Sequence, residues 1–360
     1  MDNIDVKTPA GSLDEEIRTF MRYMEPTPQE VRMRMNLVQR FKKLITSFNM
    51  NASVQPVGSY VTGLYLPTSD IDMVITFHSG SFIGYSGRLS MLMGEIHNSG
   101  FASRIDDVLR ASVPLIRITD GITGIQIDLT AADTHAVKAT EAVEKWLQLS
   151  SPAKPLLFVV KMFLSIRRCG TTYTGGINSY ALFWMVVAWV ELEMLKKKPK
   201  AAVLDYDSLI AGFGGLSMSK ENVATPSPSL EEVDLGELLM KFLKFYGEEF
   251  DYETNEIRIA PSPSYCTKTY RYSRYSTQRY LLSIYDPADT LIDMGSKAYG
   301  IKHIQASFKI AYQNLAKLEA RRKSGQCQVG EAGILGSVLG GDYTKFVEKR
   351  RLAVARISNT

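Results

Sequence analysis

The sequence predicts an α+β protein in which a small mixed-sheet domain precedes a larger, mostly helical one. Three observations support this class. The chain has 360 residues, which is long for a single hydrophobic core. Apolar and polar residues alternate in several short segments before residue 131, as they do in half-buried strands. Beyond Pro152, apolar residues recur at helical spacing over long segments instead.

The composition is that of an ordinary globular protein. Hydrophobic residues make up 45% of the chain, and the net charge of +4 permits a polyanionic partner without requiring one. The three cysteines lie far apart, which argues against a disulfide framework or an internal zinc site and suits a reducing compartment. The N-terminal segment lacks the apolar stretch of a signal peptide, and the longest apolar run, Ala181 to Val190, is too short for a membrane span. We therefore expect a soluble intracellular protein.

The first domain begins with a helix whose start is marked by a capping box. Thr27 and Glu30 have the spacing of such a box, and Pro28 occupies the first helical position. Apolar residues then recur at helical spacing to about residue 48. A second helix is predicted from Arg88 to Asn98. Strands are predicted over residues 53–57, 71–77, 112–119 and 124–130.

The second domain is predicted to consist mainly of helices. Residues 155–168 and 180–196 are apolar enough to form core helices. Residues 205–228 are rich in Gly, Ser and Pro, which favours loops between helices. Further helices are predicted over residues 234–246, 306–322 and 343–356.

Three carboxylates fall on the polar faces of predicted strands. Asp70 and Asp72 share the face of strand 71–77 that lies opposite its apolar residues, and Asp128 lies on the corresponding face of strand 124–130. Acidic residues are poor strand formers, and burial of an unpaired carboxylate is costly. A divalent cation explains the set, because Mg²⁺ and Mn²⁺ prefer oxygen ligands. The pair Asp70 and Asp72 alone would equally fit a turn followed by a strand with exposed acids.

A glycine and a serine follow the first predicted strand. Gly58 allows close approach of the backbone, and the Ser59 hydroxyl with neighbouring amides can hold a phosphate. With this turn ahead of the acidic pair and Asp128 behind it, a metal site that handles phosphate becomes the favoured interpretation.

These residues resemble a known superfamily. Gly-Ser, a short spacer and Asp-Ile-Asp are typical of the DNA polymerase β-like nucleotidyltransferases. The segment TGLYLPTSDIDMVI, from Thr62 to Ile75, closely resembles the noncanonical, template-independent poly(A) polymerases of TRAMP-type nuclear RNA surveillance. The similarity extends through VPLIRITDGITGIQIDLT and KMFLSIRRCGTTYTGGINSYALF and covers roughly residues 30 to 340.

The resemblance implies roles for individual residues. Asp70, Asp72 and Asp128 would bind two Mg²⁺ or Mn²⁺ ions, and Asp128 would help to activate the RNA 3′-hydroxyl. Tyr180 would stack on the base and Lys161 would neutralise triphosphate charge, although from the residues alone Tyr180 fits a core position and Lys161 a surface one. The implied nucleotide contacts are Gly58, Ser59, Ser69, Lys161, Ser179, Tyr180, Asp286, Ile292 and Asp293.

The chain departs from the family pattern at three positions. Ile292 stands where surveillance polymerases carry Asn and uridylyl-adding relatives often carry His. Ser296 replaces an Arg, and Ala132 replaces a polar residue after the third Asp. We therefore predict that ATP is preferred and that selectivity for the base is softened.

The resemblance also implies an organisation and a cellular role. A catalytic domain would span residues 33–147, and a central nucleotide-recognition domain would combine residues 148–360 with an N-terminal helix in residues 1–32. The activity would be template-independent addition of adenylate to RNA 3′ ends in RNA surveillance. ATP, an RNA 3′ end, a zinc-knuckle RNA-binding protein and a helicase are the expected partners, with no membrane. A nuclear location is expected, with the cytoplasm as the alternative.

Two other functions remain open. A terminal uridylyltransferase would share the fold and the metals. An inactive relative could act as an RNA-binding scaffold, although a scaffold does not need three convergent carboxylates.

Two basic segments have alternative interpretations. Residues 265–285 carry six tyrosines interleaved with cations, which could track a single RNA strand or form a mobile surface loop. The lysine-rich segment 196–200 could be a nuclear localisation signal or a helix end where cations are favoured by the dipole. The cations of the first segment are Lys268, Arg271, Arg274 and Arg279.

Overall fold

The chain forms two compact units in a computed structural model. The structure describes residues 12–78, 83–111, 113–131, 134–150, 152–197, 230–268, 278–324 and 333–339. The sheet unit comprises the described residues from Met24 to Glu144. The helical unit comprises the described residues up to Tyr23 and those from Lys145 onward to Leu339.

The sheet unit contains one mixed five-stranded sheet with the order β1-β2-β5-β4-β3. Its strands are β1 (Ala52–Pro56), β2 (Ile71–Phe77), β3 (Ala102–Val108), β4 (Leu115–Asp120) and β5 (Gln126–Ala131). Only β2 and β5 pair in parallel, and the other three pairs are antiparallel. Its helices are α2 (Pro28–Ser47), α3 (Ser59–Thr62), α4 (Tyr85–Asn98) and α5 (Thr134–Leu149), the last of which continues into the helical unit.

Helix α2 covers the apolar face of this sheet. Its capping box forms as predicted, because the Thr27 hydroxyl accepts the Glu30 amide and the Glu30 carboxylate accepts the Thr27 amide. Leu37, Phe41 and Ile45 recur along its buried face and share one core with the apolar residues of the strands. The opposite face of the sheet is left for polar side chains.

The helical unit is built around long apolar helices. Its helices are α1 (Leu13–Met24), whose last residue is assigned to the sheet unit, α6 (Ala153–Ile166), α7 (Ser179–Lys197), α8 (Leu235–Lys244), α9 (Ile301–Lys323) and α10 (Gly333–Leu339). A single π turn extends α8 from Phe245 to Glu249. A small two-stranded sheet pairs β6 (Asn255–Arg258) with β7 (Ser264–Thr267). The core of the unit is aromatic, with Trp184 in edge contact with Trp146.

The predicted elements agree with the structure except at a few points. Strand β3 was not predicted, because Ala102–Val108 carries three charged residues and lacks a clear apolar alternation. Helices α5 and α10 and the strand pair of β6 and β7 were not predicted either. The predicted loops at 205–228 and the predicted helix at 343–356 lie outside the described residues. Among the helices of the described chain, none is long and apolar enough to cross a membrane.

Candidate active site

Two of the predicted acids meet on neighbouring strands of the sheet unit. Asp72 on β2 and Asp128 on β5 are register partners in the parallel pair, so their side chains leave the same face of the sheet side by side. Asp70 lies two residues before Asp72, in the turn that leads into β2. Asp128 is only 8% exposed, whereas Asp70 and Asp72 are half-buried. For Asp72 and Asp128, the predicted placement on neighbouring strands is confirmed.

Gly58 forms a turn that approaches the Asp72 carboxylate. Its backbone has φ +67° and ψ −144°, a conformation in which only glycine is unstrained. A Cβ atom at this position would lie 2.9 Å from Oδ2 of Asp72. The Gly58 amide donates a 2.8 Å hydrogen bond to Oγ1 of Thr140 on α5, which anchors the turn from the other side. Ser59, the first residue of α3, is half-buried.

Arg117 places a positive charge against the carboxylates. It lies on β4 in register with Asp128, and its Nε and Nη2 atoms donate hydrogen bonds of 2.8 and 2.7 Å to the two oxygens of Asp128. The hydrogen bond to Asp128 is the main reason why the pKa of Arg117 is raised, and the charges of Asp70 and Asp106 act in the same direction. Both oxygens of Asp128 therefore have a cationic partner.

Arg34 is a second guanidinium, and it supports the turn before β2. It projects from α2, is 3% exposed and lies 4.6 Å above the Tyr65 ring. Its Nη2 atom donates to the carbonyls of Pro67 and Ser69, at 3.3 and 2.7 Å. Burial lowers the pKa of Arg34, while Asp70 is among the charges that oppose this effect. A buried arginine from α2 thus holds the backbone of the residue that directly precedes Asp70.

The three carboxylates fit a divalent cation in chemistry, and one of them first has to change partner. Carboxylate oxygens are the ligands that Mg²⁺ and Mn²⁺ prefer. Among the described residues, however, there is no group of three acidic, histidine or cysteine side chains that already converges on one point. Both oxygens of Asp128 are engaged by Arg117 instead. Asp70, Asp72 and Asp128 could therefore hold a cation once Asp128 exchanges Arg117 for it.

In the helical unit, the predicted base-stacking residue is held by an acid. Tyr180 lies in the first turn of α7, and its hydroxyl donates a 2.8 Å hydrogen bond to Oδ1 of Asp286. The Tyr180 ring meets Trp184 edge-on, and the fully buried Asp286 also accepts the amide of Ala288 at 2.7 Å. Burial first, and then the charge of Asp286, raise the pKa of Tyr180 far above its usual value, so that the phenol remains a donor. The structure brings together two residues that were predicted separately.

Asp293, the other predicted contact residue among the acids of the loop from Tyr285 to Gly300, is also engaged internally. Oδ1 of Asp293 accepts the amides of Ile284 and Gly295, and Oδ2 accepts the Ser283 hydroxyl at 3.0 Å. Burial raises the pKa of Asp293, and these three hydrogen bonds oppose that rise. The contacts indicate that Asp293 shapes the loop, and a direct contact with nucleotide stays a prediction.

The tip of this loop presents apolar side chains. Leu291 is 90% exposed and Ile292 is 39% exposed. The backbone of Ile292 is fixed, because its carbonyl accepts the Asp286 amide and its own amide donates to the carbonyl of Asp289. The backbone at position 292 is therefore fixed by hydrogen bonds that do not depend on which side chain this position carries.

The remaining predicted nucleotide contacts are spread over three elements. Ser179 is exposed at the first position of α7, which Asn178 caps by accepting the Ala181 amide at 2.7 Å. Helix N-termini favour anions, so the placement of Ser179 suits a phosphate. Lys161 is half-buried on α6. The Ser69 hydroxyl accepts a backbone amide of its own turn at 3.0 Å.

The described start of the tyrosine-rich segment is engaged within the protein. The hydroxyl of Tyr265 lies 3.2 Å from that of Tyr246, and burial raises the pKa of Tyr265. The ammonium group of Lys268 donates to three backbone carbonyls. The polar groups of Tyr265 and Lys268 already bind the protein, which favours a structural role for these two residues. Arg271 and Arg274 lie outside the described residues.

Three residues that organise the site were not predicted. Arg117 stands on the polar face of its strand between Ile116 and Ile118, and a cation at that position is a readable signal. Arg34 falls within the apolar stripe of α2, which also marks it as unusual. Thr140 is distant in sequence from Gly58, and nothing local to either residue predicts their hydrogen bond.

Two family models match the chain. The one described as the central palm domain of poly(A) RNA polymerases, mitochondrial-like, matches residues 13–148, and the one for the Cid1 family of poly A polymerases matches residues 234–290. Among curated relatives, the poly(A) RNA polymerase CID14 of Cryptococcus neoformans is 28% identical over 98% of this chain. The polymerase core of TRAMP, a solved structure with 24% identity, superimposes with a TM-score of 0.72 over 91% of this chain and 94% of that one.

These matches agree with the geometry of the strands and of the Gly58 turn. The chain is similar to the noncanonical poly(A) polymerases over most of its length. Its fold is that of the polymerase β-like nucleotidyltransferases, as the sequence predicted.

Other proteins that are similar to this chain differ in length and in the activity that their names describe. Poly(A) RNA polymerase cid14 of Schizosaccharomyces pombe is 28% identical over 82% of this chain. The chain spans 44% and 39% of the two fungal relatives, less than half of each. Trf4-2 of Drosophila melanogaster, named an inactive noncanonical poly(A) RNA polymerase protein, is 27% identical over 85% of this chain and 69% of its own length.

Proposed function

We propose that this chain adds adenylate to RNA 3′ ends without a template, by nucleotidyl transfer from ATP. The observation that carries the proposal is the register pairing of Asp72 with Asp128, beside a glycine turn that touches Asp72. Similarity to poly(A) polymerases over two segments of the chain supports the choice of reaction.

In the proposed reaction, the RNA 3′-hydroxyl attacks the α-phosphorus of ATP. A P–O bond forms there, the bond to the β-phosphate oxygen breaks, and pyrophosphate leaves. Asp70, Asp72 and Asp128 would hold two divalent cations, Mg²⁺ or Mn²⁺. Such ions, when bound, supply charge for the attacking and leaving oxygens. Asp128 would also assist in removing the hydroxyl proton.

The sheet unit contributes a phosphate-binding turn to this proposal. The Gly58 backbone has no Cβ that would push the turn away from Asp72, and Thr140 fixes the Gly58 amide. Ser59 follows immediately and would contact the triphosphate. Arg34 would keep Asp70 in place by binding the carbonyl of Ser69.

The helical unit contributes the proposed contacts to the base and to the triphosphate. Tyr180 would stack on adenine, and its hydroxyl bond to Asp286 holds the ring in one orientation. Ser179 would contact phosphate at the helix N-terminus, and Lys161 would balance triphosphate charge. Ile292 lies at a defined backbone position and would face the base.

The setting of the activity is part of the proposal. The activity would serve RNA surveillance in the nucleus, with a zinc-knuckle RNA-binding protein and a helicase as partners. The similarity to the polymerase core of TRAMP, an RNA surveillance complex, supports the surveillance role. The modest net charge of +4 supports the need for an RNA-binding partner.

Uridylyl transfer is the second candidate function. Position 292 carries Ile, so the loop offers no side-chain hydrogen bond there that would reject uracil. The fold and the carboxylates are the same for both reactions, and only the base contact separates them.

A primer-extension assay with each of the four nucleoside triphosphates tests the proposal. We expect extension with ATP in the presence of Mg²⁺ or Mn²⁺, and none by an Asp72→Asn variant. Asp107→Asn is the matched control, because Asp107 lies on β3 in register with Ile116 on the other face of the sheet. Preference for UTP in direct competition would favour the second candidate, and no extension with any nucleotide would favour an inactive relative.

A further inference from the structure

Four charged residues form a row across the sheet. Asp106 on β3 is in register with Arg117 on β4, Arg117 with Asp128 on β5, and Asp128 with Asp72 on β2. Register partners on neighbouring strands project from the same face, so the order of charges across the sheet is negative, positive, negative, negative. Arg117 therefore has an acid on each side.

Arg117 lies within reach of both acids without any movement of the backbone. Cα atoms of register partners in antiparallel pairs are about 4.5–5.5 Å apart, less than the length of an arginine side chain. In the structure Arg117 binds Asp128 with both oxygens engaged. Its side chain is 38% exposed, so a change of rotamer is not blocked by burial.

Asp106 has room for a second partner. Arg104 binds it from two positions earlier on the same strand, and both contacts, at 2.9 and 2.8 Å, go to Oδ1. Among the residues that the structure describes, Oδ2 of Asp106 accepts no hydrogen bond. The more buried acid, Asp128, takes the bidentate partner, because a desolvated carboxylate gains most from one.

We propose that Arg117 is an exchangeable counter-ion, bound to Asp128 before divalent metal binds and transferred to Asp106 when metal takes its place. This inference rests on the proposed function, which assigns Asp128 to the metal. Arg117 then has two effects. It stabilises the carboxylate row when no metal is present, and it competes with the metal for Asp128.

The test is a titration of the full chain with Mn²⁺. Binding is measured during the titration by calorimetry or by the electron paramagnetic resonance signal of free Mn²⁺. Arg117→Gln should bind Mn²⁺ roughly 10- to 100-fold more tightly than wild type, the scale of one charge-assisted hydrogen bond. Arg110→Gln removes the same charge from an exposed residue outside the row and should change the affinity by less than about 3-fold.

A double-mutant cycle tests the transfer to Asp106. Asp106→Asn removes the second partner and should weaken Mn²⁺ binding several-fold in wild type. In the Arg117→Gln background the same change should have a much smaller effect, because no guanidinium remains to be transferred. Equal effects in both backgrounds would show ordinary long-range electrostatics and would overturn the transfer.

Thermal unfolding provides a readout that does not depend on activity. Without metal, Arg117→Gln should melt at a lower temperature than wild type because Asp128 loses its partner, and saturating Mn²⁺ should raise its melting temperature by more than that of wild type. Weaker Mn²⁺ binding by Arg117→Gln would instead make Arg117 a fixed partner that aligns Asp128, which overturns the proposal. If neither wild type nor Arg117→Gln binds Mn²⁺, the metal site of the proposed function fails. If both bind with equal affinity, only this inference fails.

Discussion

The carboxylates of the sheet unit and those of the Tyr285–Gly300 loop are stabilised in opposite ways. Asp128 is balanced by the charge of a half-exposed arginine on the next strand. Asp286 and Asp293 accept neutral donors, namely a tyrosine hydroxyl, a serine hydroxyl and backbone amides. A side-chain cation can be exchanged for another cation, whereas backbone amides are part of the loop itself. The acids of the strands are therefore suited to binding a cation, and the acids of the loop are suited to fixing the conformation of the loop.

The largest expected effect tests this difference with the same substitution in both regions. Asp128→Asn should lower the rate of nucleotide addition about 10³-fold or more, because a neutral amide cannot balance divalent charge. Asp286→Asn should cost less than about 10-fold, because an amide oxygen can still accept the Tyr180 hydroxyl. Single-turnover primer extension measures both rates. Similar losses in the two variants would contradict the contrast.

The next effect concerns the Gly58 turn. Gly58→Ala should lower the rate about 10²-fold, because its Cβ would displace the Asp72 carboxylate. Gly63→Ala is the matched control: its φ is +70° and no atom lies within 4 Å of the added Cβ. Both variants should lose about 1–2 kcal/mol of stability through backbone strain. If Gly63→Ala loses as much activity as Gly58→Ala, strain rather than contact with Asp72 is responsible.

Two substitutions of Tyr180 distinguish the contribution of ring stacking to ATP binding from that of the hydroxyl hydrogen bond. Tyr180→Ala should weaken ATP binding about 10- to 100-fold, the scale of one lost stacking contact. Tyr180→Phe keeps the ring and removes only the bond to Asp286, so a loss below about 5-fold is expected. Equilibrium binding of ATP checks both values. A Phe variant as weak as the Ala variant would mean that the hydroxyl, not the ring, carries the role.

Alkaline pH should destabilise the helical unit through its buried phenols. Burial raises the pKa values of Tyr246 and Tyr252 in the folded state. Unfolded tyrosines lose their protons above about pH 10, so above that pH the unfolded state binds fewer protons and stability falls. Each of these phenols should cost roughly 1 kcal/mol per pH unit there. Below that pH their contribution is fully present.

Tryptophan fluorescence can follow this loss in the helical unit alone. All three tryptophans of the chain, Trp146, Trp184 and Trp189, lie in that unit. Urea titrations on both sides of the phenol pKa should show a falling midpoint, and Tyr252→Phe should reduce the fall. A midpoint that does not move would contradict the burial of these phenols.

The smallest expected effect is on the choice of base. With Ile292 in place, wild type should use ATP first and a second nucleotide measurably, because no buried polar group at this position is left unpaired by the wrong base. Ile292→Asn should sharpen the preference for ATP, and Ile292→His should shift use towards UTP, each by a few-fold. Leu291→Asn is the control at the exposed neighbour. Competition between labelled ATP and UTP measures the ratio.

The sequence by itself determined the class of fold, the main helices and the acidic residues of the strands. Local patterns are sufficient for these features, since alternation with period two places Asp72 and Asp128 on polar faces and a capping box starts α2. Strand β3 was not predicted from the sequence, because its charged residues interrupt the alternation of apolar and polar residues. For segments of the chain that the structure does not describe, the secondary structure stays a prediction.

Only the tertiary structure decided which partner each polar group has. The strand order and register place Arg117 between Asp106 and Asp128, although the four residues of the row come from four separate strands. Contacts such as Gly58 with Thr140 and Tyr180 with Asp286 join residues 82 and 106 positions apart. A pattern within one segment reports which way a side chain faces. It cannot report which charge faces it from another segment, because that depends on how the whole sheet is assembled.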